Sequence, residues 1–393
     1  LIIEVFYPAP LNKEFCDVFI FVKRMLFTKN TLFHDSCYFM TAITQNTQAQ
    51  SRCLSEGKSI VFFNTYGCEE GDGSETITLS IHGWIFEKKK QSLWRSFARK
   101  QWAKICHLPT SGPEYKTFTE RAHYFFAHNR QNEKLIIQIG NKQIDLPLSQ
   151  KDGHFKATFT LTKSNYELLP KSTWISYQID EYPIKDPELK GQCNIISVNG
   201  ISVISDIDDT MKVTNVLNEE EKLKNVFIRP FKSTPGTAKA YRKWEAQGAV
   251  FHYVSGSPWQ LYPFLEDGIR NANFPQGSFD LRTKDMSIYS FFKPDEYNGL
   301  KHKLAVIRKI IKTYPLRKFI LVGDCSEQDP EVYSKIYDEF PANILHIFVR
   351  EVEEADMSDV RFQNTFKDVP LNLWDIFSDG STDLLNISTE ENF

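Results

Sequence analysis

The chain is predicted to be an α/β protein, in which a parallel-sheet domain follows an antiparallel β-sandwich. Three observations predict this. Short β-branched and aromatic runs recur between turn residues from residue 58 to about residue 198. Beyond Val198-Asn199-Gly200, apolar strands alternate with helical patterns, which demands crossover connections and parallel pairing. Three of those later strands end on Asp or Ser, at the carboxyl ends where open α/β sheets place their ligands.

In chain order, KSIVFFNTYG (58–67) and ETITLSIHGWIFEK (75–88) read as strands around a Gly/Glu/Asp-rich turn, and further strands are expected over 134–140, 153–162, 173–180 and 191–198. One helix interrupts them at 91–107. Its apolar residues Trp94, Phe97, Ala98, Trp102, Ile105 and Cys106 fall at helical spacing, with Arg95, Arg99, Lys100 and Lys104 largely on other faces. Such a basic amphipathic helix suits an anionic surface, but packing of its stripe on the neighbouring sheet is the preferred expectation. The second half reads as strand 201–205, helix 236–247, strand 249–254, helices 259–271 and 301–313, strand 318–322, helix 329–339 and strand 344–349. The expected organisation is an uninformative segment 1–55, a β-sandwich with one inserted helix over 56–198, a catalytic domain over 199–377 and a frayed polar tail over 378–393.

Composition narrows the class. With 393 residues, 41% hydrophobic and 25% charged, the chain can bury sizeable cores. A net charge of −3 gives no global attraction to nucleic acid, which is not expected as a partner. The longest early apolar run, VFIFV at 18–22, is bounded by Asp17 and Lys23 and is far shorter than a membrane span. Seven scattered cysteines without a CxxC pair argue against a disulfide framework or zinc site and for a reducing compartment. A cytoplasmic location is therefore expected.

The chemistry is concentrated at strand ends. ISVISDIDDT (201–210) is a β-branched run ending in Asp206, Asp208 and Thr210. A carboxylate is a competent nucleophile toward phosphorus, and one two residues on can move protons. Carboxylates facing a phosphate need a cation, so Mg²⁺ is implied. Turn formation and helix capping are the ordinary alternative for such Asp residues. Three further segments favour the chemical reading: AVFHYVSGS (249–257) ends a strand at Ser255, KHKLAVIRK (301–309) places Lys303 on a helix, and KFILVGDCSEQD (318–329) ends a strand before Asp324 and Asp329.

Together these four segments resemble motifs one to four of the haloacid dehalogenase (HAD) superfamily. The phrases SDIDDT, YVSGSPWQLYP, FPQGSFDLR and VGDCSEQDPEVY are similar to the catalytic region of the actin-patch type of Mg²⁺-dependent phosphatidate phosphatases. That resemblance implies a Rossmann-like, HAD-type catalytic domain that releases phosphate from phosphatidic acid at a membrane surface, leaving diacylglycerol. It implies Asp206 as nucleophile, Asp208 as general acid/base whose pKa crowding by Asp206 and the bound phosphate would raise, and Thr210 as the residue holding the turn. Ser255 would bind a phosphoryl oxygen, with Ser257 as the alternative, and Lys303 would offset the transferring charge. Mg²⁺ would be held by Asp206, the carbonyl of Asp208, Asp324 and Asp329. Asp209 has no implied role and reads as a solvated or capping carboxylate.

Neither interval between these segments holds a large cap, which suits a lipid head group. Aromatics in NVFIRPF (225–231), SPWQLYPFL (257–265) and SIYSFFKP (287–294), with Arg229, Lys232, Arg282 and Lys293 nearby, are candidates for meeting acyl chains and lipid phosphates, with Arg229 and Arg282 as candidate substrate-binding residues; core packing competes for each ring. His82, His123, His128 and His252 sit on strand-like runs without metal-ligand spacing and receive no role. The competing functions are a phosphatase for another phospholipid or a phosphoprotein, and an inert adaptor that binds a membrane, the cytoskeleton or a protein partner through its β-sandwich.

Overall fold

The computed structural model describes residues 58–69, 76–87, 93–105, 107–140, 142–162, 173–179, 190–283, 296–353, 355 and 359–384, all within the compact unit Arg52–Phe393. The expectations for residues 1–55, for Phe291, Phe292 and Lys293, and for the tail beyond residue 384 lie outside the described residues.

The first sheet contains β1 (Lys58–Phe62), β2 (Thr65–Glu69), β3 (Thr76–Glu87), β4 (His128–Asn129), β5 (Ile136–Ile139), β6 (Lys142–Asp145), β7 (His154–Thr162), β8 (Trp174–Ile179) and β9 (Lys190–Ile196). Its path runs β1-β3-β2-β9-β8-β5-β6, with β4 and β7 also pairing with β3. All nine strands thus belong to one hydrogen-bonded sheet. It is mostly antiparallel, but β2 and β9 pair in parallel, a departure from the purely antiparallel expectation. Its core gathers alternate strand residues such as Ile77, Leu79, Ile81, Ile137, Ile175 and Ile195.

The expected helix appears as α1 (Leu93–Ile105), followed by α2 (Gly112–Ala122), which the sequence reading did not anticipate. Trp102 is buried and meets Phe118, Phe125, Phe126 and Phe227 edge-on. The helix is therefore anchored by packing, although Phe97 stays exposed and Arg99 is buried. The side chains of Trp94, Ala98, Ile105 and Cys106 lie outside the described set.

The second sheet is wholly parallel: β10 (Ile201–Ser205), β11 (Val250–Pro258), β12 (Gly277–Arg282), β13 (Lys318–Asp324), β14 (Ile344–Arg350) and β15 (Trp374–Phe377). Its spatial order is β12-β11-β10-β13-β14-β15. Numbered from the first strand of this sheet, that is 3-2-1-4-5-6, the order of doubly wound nucleotide-binding sheets. Between the strands lie α3 (Glu219–Phe227), α4 (Thr237–Ala246), α5 (Tyr262–Asn271), α6 (Glu296–Thr313), α7 (Asp329–Glu339) and α8 (Asp359–Thr365). β10 and β13 are buried along almost their whole length, as a sheet covered on both faces requires. Chain order reverses between these two strands, so a crevice opens at their carboxyl ends.

The two sheets are tied by hydrogen bonds. Phe279 N donates to Asn64 O (2.9 Å), Asn64 N to Tyr262 Oη (3.0 Å) and Tyr314 Oη to Gly67 O (2.8 Å). Buried imidazoles sit along this seam. His252 bonds Ser278 Oγ through Nδ1 (2.8 Å), and His82 Nε2 meets His154 Nδ1 (3.0 Å). His82 and His252 lie on strands as expected, whereas His123 begins a 3₁₀ turn. Burial pushes the His252 pKa down to about 3 and that of His154 to about 4. Histidines in the unfolded chain take up protons near pH 6.5 that these cannot accept. Stability should therefore fall as pH drops below about 6.5, His252 alone costing about 2 kcal/mol by pH 5. Thermal unfolding across pH 5–8 checks this; a His252→Asn variant should show a shallower acid slope than the parent.

Candidate active site

β10 delivers Asp206 and Asp208 into the crevice at the switch point. The Asp206 backbone N–H still bonds Val322 O on β13 (2.9 Å), which fixes the first carboxylate beside the end of β13. Asp324 ends that strand, and Asp329 opens α7 from the following loop. A close approach makes this possible: a Cβ at Gly323 would lie 2.5 Å from Asp329 Oδ2, so only glycine fits. Lys303 reaches in from α6.

The result is a buried cluster. Lys303 Nζ lies 2.9 Å from Asp206 Oδ1, 2.5 Å from Asp329 Oδ1 and 3.4 Å from Glu327 Oε2. Asp324 N donates to Asp329 Oδ2 (3.3 Å), Ser326 N and Oγ donate to Asp324 Oδ1, and Thr210 Oγ1 donates to Asp324 Oδ2 (3.4 Å). Asp206, Asp324 and Asp329 can each offer an oxygen within 4.8 Å of the others. Three carboxylates share one deeply buried ammonium, an excess of negative charge. Burial, then mutual repulsion, raises the Asp324 pKa to about 8. Burial also raises Asp206 well above its ordinary range despite the attraction of Lys303. For Lys303 burial disfavours the charge, but Asp206, Asp329 and Glu327 outweigh it and hold the ammonium well above its ordinary range.

These residues fit a divalent cation. Both carboxylate oxygens of Asp206 are buried without a hydrogen-bond donor, since the Lys303 contact is an ion pair outside hydrogen-bond alignment. One ammonium among three buried carboxylates leaves an excess of negative charge that is costly unless a further cation meets it, and all-oxygen carboxylate donors suit Mg²⁺ or Ca²⁺ rather than zinc.

Asp208 faces elsewhere. Its Oδ2 accepts from Ser257 Oγ (2.6 Å) and Ser255 Oγ (3.4 Å), and its Oδ1 from Thr214 Oγ1 (2.7 Å) and Lys212 Nζ (3.5 Å). Burial pushes its pKa up, but Lys212 and the bonds from Ser257 and Thr214 outweigh this and hold the carboxyl below its ordinary range. The expected rise depends on a bound phosphate as well as on Asp206, and Asp206 by itself does not produce it. Asp206 is engaged by Lys303, so its charge does not crowd Asp208, and Lys212 attracts Asp208 directly. Lys212, Thr214 and Ser326 were missed in the sequence; the signal available was Lys212 standing four residues after Asp208.

Asp209 is not solvated. It is buried at φ +58°, a conformation Asp tolerates better than most residues. Its carboxylate accepts from the backbone N–H of Thr214 (2.7 Å), Asn215 (2.8 Å) and Val216 (2.7 Å), and its carbonyl accepts from Arg350 Nη1 (2.8 Å). It therefore shapes the loop that carries Lys212 and Thr214. Asp209→Ala removes the acceptor of three backbone donors, of which the Thr214 N–H is buried, and should cost about 2 kcal/mol, read as a lowered midpoint in urea unfolding, with Asp209→Asn losing less.

Of the candidate substrate-binding residues, Ser257 lies on Asp208. Arg229 pairs with Glu221 and Asn225 and lines a cavity that touches Asp208. Arg282 ends the edge strand β12 and does not line that cavity. Among the mouth aromatics, Phe227, Trp259 and Tyr262 are core residues, while Phe231 and Phe264 are half-buried on the cavity wall.

With this geometry in place, relatives become informative. Residues 201–351 match the family described as phosphatidate phosphatase APP1, catalytic domain. The chain is similar to the phosphatidate phosphatase APP1 of Saccharomyces cerevisiae, at 30% identity over 289 residues that cover 69% of this chain and 46% of that protein. It is also similar to an uncharacterized protein of Schizosaccharomyces pombe, at 35% identity over 162 residues covering 40% of this chain and 26% of that one. The chain thus spans less than half the length of these curated relatives. A solved carbohydrate esterase structure overlaps at a TM-score of 0.21 and 10% identity, over 74% of this chain and 88% of that one, and carries no argument.

Proposed function

We propose that this chain is a Mg²⁺-dependent phosphatidate phosphatase, hydrolysing phosphatidic acid to diacylglycerol and phosphate through an aspartyl-phosphate on Asp206. The observation that carries the proposal is the junction of Asp206, Lys303, Asp324 and Asp329 at the switch point, with Asp208 alongside, inside the stretch that matches the APP1 catalytic family. Residues 56–198 and 199–377 act as two domains, and the absence of a membrane-crossing helix among the described residues accords with work at a membrane's cytoplasmic face.

In the first half-reaction an Asp206 oxygen attacks phosphorus in line, the bond from phosphorus to the glycerol oxygen breaks, and Asp208 gives that oxygen its proton. In the second, Asp208 takes a proton from water, whose oxygen attacks phosphorus and returns Asp206 as a carboxylate. Arrival of the phosphate dianion opposes the hold of Lys212 and lets Asp208 carry the proton it must donate. Ser255 and Ser257 supply hydroxyl donors to phosphoryl oxygens, and Lys303 keeps Asp206 oriented while offsetting charge. Asp206, Asp324 and Asp329, with the Asp208 carbonyl, would hold Mg²⁺, which when bound neutralises charge on the phosphoryl oxygens.

Metal binding should release protons. Asp324, at about 8 in the metal-free protein, is mostly protonated at pH 7 and must ionise to ligate. Mg²⁺ affinity should therefore rise with pH through neutrality. Calorimetry in buffers of different ionisation enthalpy reads the released proton; buffer-independent heats would contradict it.

The direct test is phosphate release from phosphatidate in detergent micelles, with Mg²⁺ and with EDTA. Release that EDTA abolishes is expected. Activity confined to water-soluble esters would remove the lipid assignment, and none on any phosphomonoester would favour an inert adaptor.

A further inference from the structure

A cavity of about 480 Å³ opens beside Asp208. Asp208 lines it, whereas Asp206, Asp324 and Asp329 do not. Lys212, Arg121 and Arg229 supply cations to the wall, Phe231, Leu261, Phe264 and Leu265 form an apolar stretch of it, and Asn225, Asp267 and Asn271 add polar groups. Arg121 comes from α2, in the first half of the chain. Its Nη1 donates to Val226 O (2.8 Å), and its guanidinium lies 5.4 Å from the centre of the Phe264 ring. Among the described residues no carboxylate pairs with it.

The position of the cavity has a chemical meaning that rests on the reading above. In an in-line displacement the attacking and leaving oxygens lie on opposite sides of phosphorus. Asp206 is the attacker and Asp208 the acid for the leaving oxygen, so the leaving group belongs on the Asp208 side. The wall there combines cations with an apolar stretch, which suits an alcohol that carries both ester carbonyls and methylenes. A volume of this size suits a drug-sized ligand, far less than two full-length acyl chains. We propose that this cavity is the leaving-group subsite, taking the glycerol-ester head and first methylenes of a phosphatidate, with Arg121 donating to an ester carbonyl and the outer acyl chain remaining in the bilayer.

The test uses the full chain with Mg²⁺ and water-soluble diacyl phosphatidates of stepwise increasing chain length, kept monomeric. kcat/KM should climb about fourfold for each methylene buried, then level off once the chain outgrows the cavity. In Phe264→Ala the ratio of kcat/KM between the longest and shortest substrates should shrink by at least about tenfold. This ratio is taken within one enzyme, so a loss of folded protein cancels. A second arm replaces the ester by an ether linkage: the parent should prefer the ester, and Arg121→Gln should lose that preference while Arg121→Lys recovers part of it. Phosphatidates hydrolysed at a rate independent of chain length, or an unchanged slope in both Phe264→Ala and Phe231→Ala, would overturn the subsite and leave the phosphatase reading standing. Hydrolysis of an aryl phosphate but of no phosphatidate would overturn both.

Discussion

Asp206→Asn is expected to lower phosphate release by about 10⁴-fold or more while leaving the protein folded. The amide keeps the volume of the buried side chain but cannot attack phosphorus, and Asp208 does not take its place because it faces Ser257 and Thr214 and not the Lys303 cluster. The substitution also removes one of three mutually repelling carboxylates, while Lys303 keeps Asp329 as its partner at 2.5 Å. Thermal unfolding of the metal-free variant should therefore be no lower than that of the parent. A parallel loss of activity and stability would mean that Asp206 is structural, and retained turnover would mean that the nucleophile lies elsewhere.

Lys303→Met should have the largest effect on stability. The ammonium is the buried cation within ion-pair distance of both Asp206 and Asp329, and deleting one partner of a buried ion pair costs about 3–5 kcal/mol. The pH dependence follows in sign. Asp206, Asp324 and Asp329 already have folded pKa values raised above the unfolded 3.8. A raised carboxyl costs nothing while both states are protonated, and its cost grows as pH climbs from the unfolded value toward the folded one. Removing Lys303 extends that climb, so the variant's deficit should be small near pH 4 and large at pH 8, with Mg²⁺ restoring part of it. Urea unfolding at both pH values reads this; a deficit independent of pH would point to lost packing of the lysine stem.

The convergence of Asp206, Asp208, Ser255, Lys303, Asp324 and Asp329 was legible because strand ends are easy to locate. Each acidic or hydroxyl residue follows a β-branched run, and a parallel sheet brings such ends to one edge. What surrounds Asp208 was not legible. Lys212 and Thr214 meet it because the backbone at Asp209 turns to φ +58° and three donors fold back on that carboxylate, an arrangement of loop geometry and not of periodicity. Of the two readings of Asp209, solvated or capping, the first failed for the same reason, while the carboxylate does cap the backbone N–H groups of Thr214, Asn215 and Val216. α2 escaped because only Phe118 and Ala122 among its residues are buried, too weak a stripe to stand out, although Pro113 after Ser111-Gly112 is a helix-start signal. β15 was hidden by its short WDIF sequence at the sheet edge. The contribution of Arg121 depends on α2 packing across the seam between the sheets, for which local sequence carries no sign.

The most direct measurement is mass spectrometry of peptides from enzyme quenched in acid during turnover of phosphatidate with Mg²⁺. One phosphoryl group on the peptide containing Asp206, absent in Asp206→Asn and accumulating in Asp208→Asn when the substrate is an aryl phosphate whose leaving group needs no proton, is the expected result. Turnover by the parent with no phosphorylated Asp206 under any of these conditions, or with the label on another residue, would contradict it.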